Sequence, residues 1–146
     1  MLISCYLRRG TVYIPTVGKS DRGSFRYIDP VATVPVSDTA ELRKAFHGVA
    51  ARGNPSIPTL RREDHTESVV AKAAGVKTYT AFANRALSWT IEDEDNVVRI
   101  KGQKKLPRGG WVDDPDNIAT LPHGADQSKM IEELIRIVQT AANENN

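Results

Sequence analysis

Between Ala86 and Ile100 apolar and polar residues alternate with a period of two, the pattern of a half-buried β-hairpin. Leu87, Trp89 and Ile91 fall on one face of a first strand, and Ser88 and Thr90 fall on the other. Glu92-Asp93-Glu94-Asp95-Asn96 forms an acidic connection, and Val98 and Ile100 supply the apolar face of the return strand. A Gly109-Gly110-Trp111 corner and an aspartate-rich loop follow. Both tryptophans lie in this region, so the densest part of the core is expected here.

The remainder of the chain supplies elements of both kinds. Residues 2–8 and 11–17 read as a hairpin turning at Arg9-Gly10, with Ile3, Cys5 and Leu7 on one face. Residues 18–23 read as a loop, and a third strand begins at Phe25. Pro30 and Pro35 lack backbone donors, which places residues 29–36 at a sheet edge or outside a central position. Asp38 and Glu41 form a capping box for a helix whose stripe is Leu42, Ala45, Phe46, Val49 and Ala50, with Gly53 as its stop. Residues 68–74 satisfy both a buried strand and a short helix, and Thr78 caps a short helix through Phe82. Residues 106–124, rich in Pro, Gly and Asp, read as mostly irregular. Asp126 caps a last helix with Ile131, Leu134, Ile135, Val138 and Ala141 on its apolar face. These elements predict a single α+β domain over residues 1–146, a mainly antiparallel sheet with its helices packed on one face.

A chain of 146 residues is long enough to bury roughly two thirds of its unfolded surface. No apolar run reaches the roughly 20 residues that a membrane helix needs. The start of the chain lacks a basic segment before a short apolar run, so the expectation is a cytoplasmic protein. Cys5 is the only cysteine, which excludes an internal disulfide; its period-two neighbours make it a small apolar residue of a strand. The net charge of +2 names no partner.

Catalytic and cofactor patterns are missing from the sequence. His47, His65 and His123 have neither each other nor a cysteine at metal-ligand spacing, and no phosphate-binding glycine motif or nucleophile elbow occurs. Asp93–Asn96 and Asp113–Asn117 are oxygen-rich, but an EF-hand begun at Asp93 would have Lys104 where a bidentate glutamate is required. Both read as turns, and neither a catalytic set, a cofactor nor a metal is expected. Two charged surfaces remain. The acidic residues Glu92, Asp93, Glu94, Asp95, Asp113, Asp114 and Asp116 would form a partner-binding patch if the fold gathers them. Alternatively, Arg99, Lys101, Lys104, Lys105 and Arg108, close to Trp111, are the residue types that grip a nucleic-acid backbone.

Gly10-Thr11-Val12-Tyr13-Ile14-Pro15, Ala81-Phe82, Trp89-Thr90-Ile91 and Gly109-Gly110-Trp111 resemble a family of small proteobacterial proteins. In size and α+β plan the chain also resembles immunity proteins of contact-dependent growth inhibition systems. That resemblance implies a non-enzymatic protein that binds a cognate toxin domain, often a nuclease, and masks its active site inside the cell. Partners of basic nucleases are often acidic, and the slight positive charge of this chain departs from that pattern.

Overall fold

The structure is a computed structural model and describes residues 1–61, 67–121 and 126–144. In chain order its elements are β1 (Leu2–Arg8), β2 (Thr11–Ser20), β3 (Phe25–Pro35), α1 (Thr39–Arg52), β4 (Ser56–Ile57), α2 (Val69–Ala73), α3 (Tyr79–Ala83), β5 (Ala86–Glu94), β6 (Val97–Lys105), β7 (Trp111–Leu121) and α4 (Gln127–Glu144). β1–β3 and β5–β7 each run as an antiparallel meander. Pairing of β1 with β5 joins them into one sheet of order β3-β2-β1-β5-β6-β7, and the short β4 lies parallel to β2. The architecture is therefore α+β on a mainly antiparallel sheet.

Two tight turns set the register. Arg9 and Gly10 connect β1 to β2, Asp95 and Asn96 connect β5 to β6, and all four residues have positive φ. Positive φ at both central positions is the turn geometry whose twist matches that of the flanking strands. The acidic connection is thus shorter than its composition suggests: β5 continues through Glu94, and only Asp95 and Asn96 leave the ladder. β2 likewise runs on to Ser20, into the stretch read as a loop. β3 is an edge strand, as its prolines require. Its register shifts opposite Pro15 and Thr16, leaving Asp29 and Pro30 outside the ladder, and the Pro30 carbonyl accepts a 2.9 Å bond from Thr16 Oγ1.

Residues 111–121 depart from the irregular reading, because they form β7. Turn-forming residues disguise this strand. Asp114, Pro115, Asp116 and Asn117 collect in a bulge opposite Gly102, where the β6–β7 register shifts between Lys101 and Gln103. Pairing then resumes at Ile118. Residues 68–74 resolve as a helix because the Ser68 hydroxyl accepts from the Ala71 amide at 3.2 Å. Asp38 and Thr78 cap α1 and α3 in the same way.

Strand parity distributes the core over two faces. Ile3, Cys5, Leu7, Val12 and Ile14 point toward α1 and α4, which bury Leu42, Phe46, Ile131, Leu134 and Val138 against them. Burying each such side chain contributes about 1.5–3 kcal/mol. Tyr6 and Tyr13 point the other way and meet Val70, Ala71 and Phe82 of α2 and α3. The two long helices share one face as expected, while the two short ones cover the aromatic residues on the opposite face. Nor do the tryptophans share a core. Trp89 pairs with Gly102 and Trp111 with Lys105, an odd number of residues apart on β6, so they lie on opposite faces. Trp89 joins the core between the sheet and α1 and α4, together with Ile91, Val98 and Ile100, whereas Trp111 packs at the edge of the aromatic cluster on the other face. Among the described residues no helix is long and apolar enough to cross a membrane.

Asn54, which the sequence marks only as a helix stop before Pro55, also acts as a clamp. Its Oδ1 accepts from the Leu2 amide at 2.9 Å, and its Nδ2 donates to the carbonyls of Leu2 and Val17 at 2.8 and 2.9 Å. Asn54→Ala leaves three backbone groups without these bonds and is expected to lower stability by about 1–3 kcal/mol in urea unfolding. An unchanged midpoint and slope would contradict that role.

Candidate functional site

One half of the second sheet face is polar. Alternation buries Trp89, Ile91, Val98 and Ile100 on the α1/α4 side and turns Ser88, Thr90, Glu92, Arg99, Lys101 and Gln103 to the other. α2 and α3 lie against Tyr6 and Tyr13, over the first meander's share of that second face. Across β5–β7, Arg99, Asp113, Ile118 and Thr120 are exposed, and Thr90, Glu92, Lys101 and Gln103 are half-buried.

A continuous row of hydrogen bonds crosses this surface. Ser88 Oγ donates to Gln103 Oε1 at 3.0 Å, and Gln103 Nε2 donates to Asp113 Oδ1 at 3.2 Å. Lys101 Nζ closes the row, 3.3 Å from Asp113 Oδ2 and 3.0 Å from Glu92 Oε2. The Lys101 side chain retains only 16% of its exposure, less than either carboxylate. Its hydrogen bond to Glu92 raises its pKa above the usual lysine range, outweighing the burial that opposes the charge, and Asp113 adds to the rise. Each end of the row is fixed by its neighbour, so the charges present one arrangement to whatever approaches.

The fold thus sorts the expected acidic patch into three groups. Glu92 and Asp113 come together on either side of Lys101, which compensates them. Asp114 and Asp116 sit in the β7 bulge. There the Asp114 carboxylate accepts from the Asp116 amide at 3.1 Å and from Asn117 Nδ2 at 2.7 Å. Those bonds hold the Asp114 pKa below the usual aspartate range, the Asp116 amide contributing most. Asp93, Glu94 and Asp95 stay at the β5–β6 tip. Val97 at that tip and Gln103 beside Asp113 are six residues apart on β6, or about 20 Å at the strand rise. The tip and the bulge are therefore separate.

Parity also divides the basic stretch. Arg99, Lys101 and Lys105 share the polar face, while Lys104 points to the opposite side. Lys105 Nζ donates to the Ala83 carbonyl at 3.0 Å and to Asn84 Oδ1 at 3.3 Å, closing the end of α3. Arg108 lies in the turn between β6 and β7. His47 is half-buried on α1, whereas His65 and His123 lie outside the described residues. Burial pushes the Cys5 thiol up, which disfavours its reactive thiolate. Among the described residues, no group of three His, Cys, Asp or Glu side chains is placed to hold a metal ion.

Ser88 and Gln103 also belong to the row, although neither carries a charge. Their only signal in the sequence is polarity at alternate positions of strands whose other face is apolar. Beyond the row, Trp111 Nε1 donates to Tyr79 Oη at 2.8 Å, and the Tyr79 and Tyr6 hydroxyls share a 3.0 Å bond. Burial raises both tyrosines' pKa values, and together with Trp111 they form an aromatic wall where the start of α3 meets the sheet.

No family model matches the chain, and no curated protein sequence matches it. Among solved structures it is similar to a protein of unknown function, NMB0488, from Neisseria meningitidis. The TM-score is 0.66 at 13% identity, over 96% of this chain and 93% of the other. The likeness is one of fold.

Replacing Lys101 with Met leaves Glu92 and Asp113 facing each other without a cation. The expected cost is about 1–2 kcal/mol, partly recovered by adding Asp113→Asn; equal stability of all three proteins in urea would contradict the row. Because the Asp114 pKa is lowered by folding, the stability it lends is present above the usual aspartate range and lost as pH falls through the lowered value. A carboxyl carbon NMR titration of Asp114 should have its midpoint below about 3.9, and a midpoint at or above that value would refute the bulge contacts.

Proposed function

We propose that this chain is a non-enzymatic binding protein of the bacterial cytoplasm: an immunity protein that neutralises a cognate toxin of a contact-dependent growth inhibition system by masking its active site. The observation that supports this reading is the row from Ser88 through Gln103, Asp113 and Lys101 to Glu92 on the outward face of β5–β7. It combines features of a protein-recognition surface. Its polar groups are pre-ordered by mutual bonds, which reduces the ordering entropy lost on binding. Both charge signs alternate at fixed places, a pattern that selects one partner and repels others. Ile118, 43% exposed on the same face, offers an apolar contact beside the charges.

On this reading Glu92 and Asp113, with exposed Arg99, meet complementary charges on the toxin, and the acidic tip Asp93–Asp95 steers the approach. Asp114 and Asp116 shape the bulge that presents Asp113. The inhibitory step is steric: a bound sheet face excludes substrate from the toxin's cleft.

The test is co-expression with the product of the adjacent upstream gene. A complex should co-elute in size exclusion, and cells should survive induction of that product only when this chain is present. Ile118→Arg with Asp113→Lys should keep the fold by circular dichroism and weaken the complex at least about tenfold. Absence of both complex and protection would end the immunity reading. A full-strength complex with the double variant would instead move the contact off this face.

A further inference from the structure

At the end of the sheet remote from the acidic tip, four cations border two clefts, one on the α1/α4 face and one on the opposite face, that share Asn84 where the chain passes from α3 to β5. One cleft, of about 520 Å³, opens beside Arg9 and Arg85; the other, of about 570 Å³, opens beside Lys105 and Arg108. Asn84 lines both, and all four cationic residues are exposed. Among the described residues no carboxylate lines either cleft, and none of the four cations belongs to an ion pair. Lys105 is held by the Ala83 carbonyl and the Asn84 amide oxygen, neutral acceptors that orient its charge without cancelling it. Arg8, one residue before the turn, has a buried Nε with no hydrogen-bond partner among the described residues.

The clefts have different walls. Leu7, Val36, Leu87 and Ala142 make the first apolar. Trp111 and Tyr79, pinned by their mutual hydrogen bond, make the second aromatic, with Leu106 at its rim 43% exposed. Arg9 adds a further observation. It lines this rim at φ 50°, in a turn whose positive-φ positions favour Asn or Gly, so its side chain is not needed for the turn itself.

From this juxtaposition we propose a second binding surface, distinct from the polar row: the two clefts around Asn84 accept an extended acidic segment of a partner protein, its carboxylates on Arg9, Arg85, Lys105 and Arg108 and its apolar side chains in the walls between. Unpaired cations set the charge of the partner. The walls set its class, because apolar side chains interspersed with acids fill both clefts, whereas a phosphate backbone leaves the aliphatic one unfilled. This inference does not depend on the immunity reading.

NMR of the ¹⁵N-labelled full chain tests it, with the Trp111 indole N–H as reporter. The probe is a synthetic peptide of alternating glutamate and leucine, compared with charge-matched oligoglutamate and a charge-matched single-stranded oligonucleotide. The expected result is saturable shifts at Arg85, Gly109, Gly110 and the Trp111 indole with the Glu/Leu peptide, weakened by salt. Oligoglutamate should bind at least about tenfold more weakly, and Arg85→Glu with Arg108→Glu should weaken the peptide by a similar factor. Arg9→Asn should weaken binding while leaving the melting temperature unchanged or about 2 °C higher. No shift at low salt, equal binding of oligoglutamate, tighter binding of the oligonucleotide, or full binding by the double variant would each overturn the proposal. The oligonucleotide outcome would reassign the surface to nucleic acid.

Discussion

The pairing of β1 with β5 is the constraint on which the rest of the molecule depends. Seven consecutive residues, from Leu2 opposite Glu92 to Arg8 opposite Ala86, join two meanders that are far apart in sequence. The seam keeps the two halves in phase. Ile3 meets Ile91 and Cys5 meets Trp89 on the face covered by α1 and α4, while Ser4 meets Thr90 and Tyr6 meets Ser88 on the other. A slip of one residue would turn Trp89 and Ile91 out of the core and drive Ser88 and Thr90 into it, so burial specifies this register strongly. Asn54 and the β5–β6 turn hold the top of the seam, and the Arg9-Gly10 turn holds its bottom.

On the second face the seam is also a boundary between two chemistries. To one side Tyr6 and Tyr13 pack with Phe82 at ring-centroid distances of 5.3 and 5.2 Å, under the cover of α2 and α3. To the other the residues are Ser88, Gln103, Lys101 and Glu92, and no apolar stripe is present to attract a helix. Polar side chains that face outward on a strand need partners or water, and here they partner one another across three strands. Individual exposed ion pairs of this kind add little stability. Their more consequential effect is geometric: Lys101, between two carboxylates, fixes where positive and negative charge stand.

Much of this fold could be read from the sequence, for reasons that differ by element. α1 was legible because a cap, a stripe and a stop coincide, α4 because a cap precedes a long stripe, and the β5–β6 hairpin because alternation survives through Ile100. β7 was hidden by its own bulge, since Asp114-Pro115-Asp116-Asn117 carries turn chemistry inside a strand and local composition cannot reveal a partner strand opposite Gly102. The expected acidic patch was legible only as composition. Strand parity, register and the roughly 20 Å of β6 between Val97 and Gln103 decide which carboxylates meet, and these are properties of pairing rather than of spacing. The same parity separates Trp89 from Trp111 and Lys104 from Lys101. Ser88 and Gln103 carry no such signal, because neutral residues at alternate positions look like an ordinary solvated strand face until Asp113 arrives from β7. The basic rim around Asn84 draws on Arg9 of the β1–β2 turn, Arg85 between α3 and β5, Lys105 at the end of β6 and Arg108 of the β6–β7 turn, which no local window contains.

The most direct test of the proposed masking role is amide hydrogen exchange on the chain alone and in complex with the upstream gene product. Binding through the outward face of β5–β7 should slow exchange along β6 and β7, including the bulge around Asp114, and leave α1 and α4 unchanged. Protection confined to α1 and α4, with β6 and β7 exchanging as in the free protein, would contradict it.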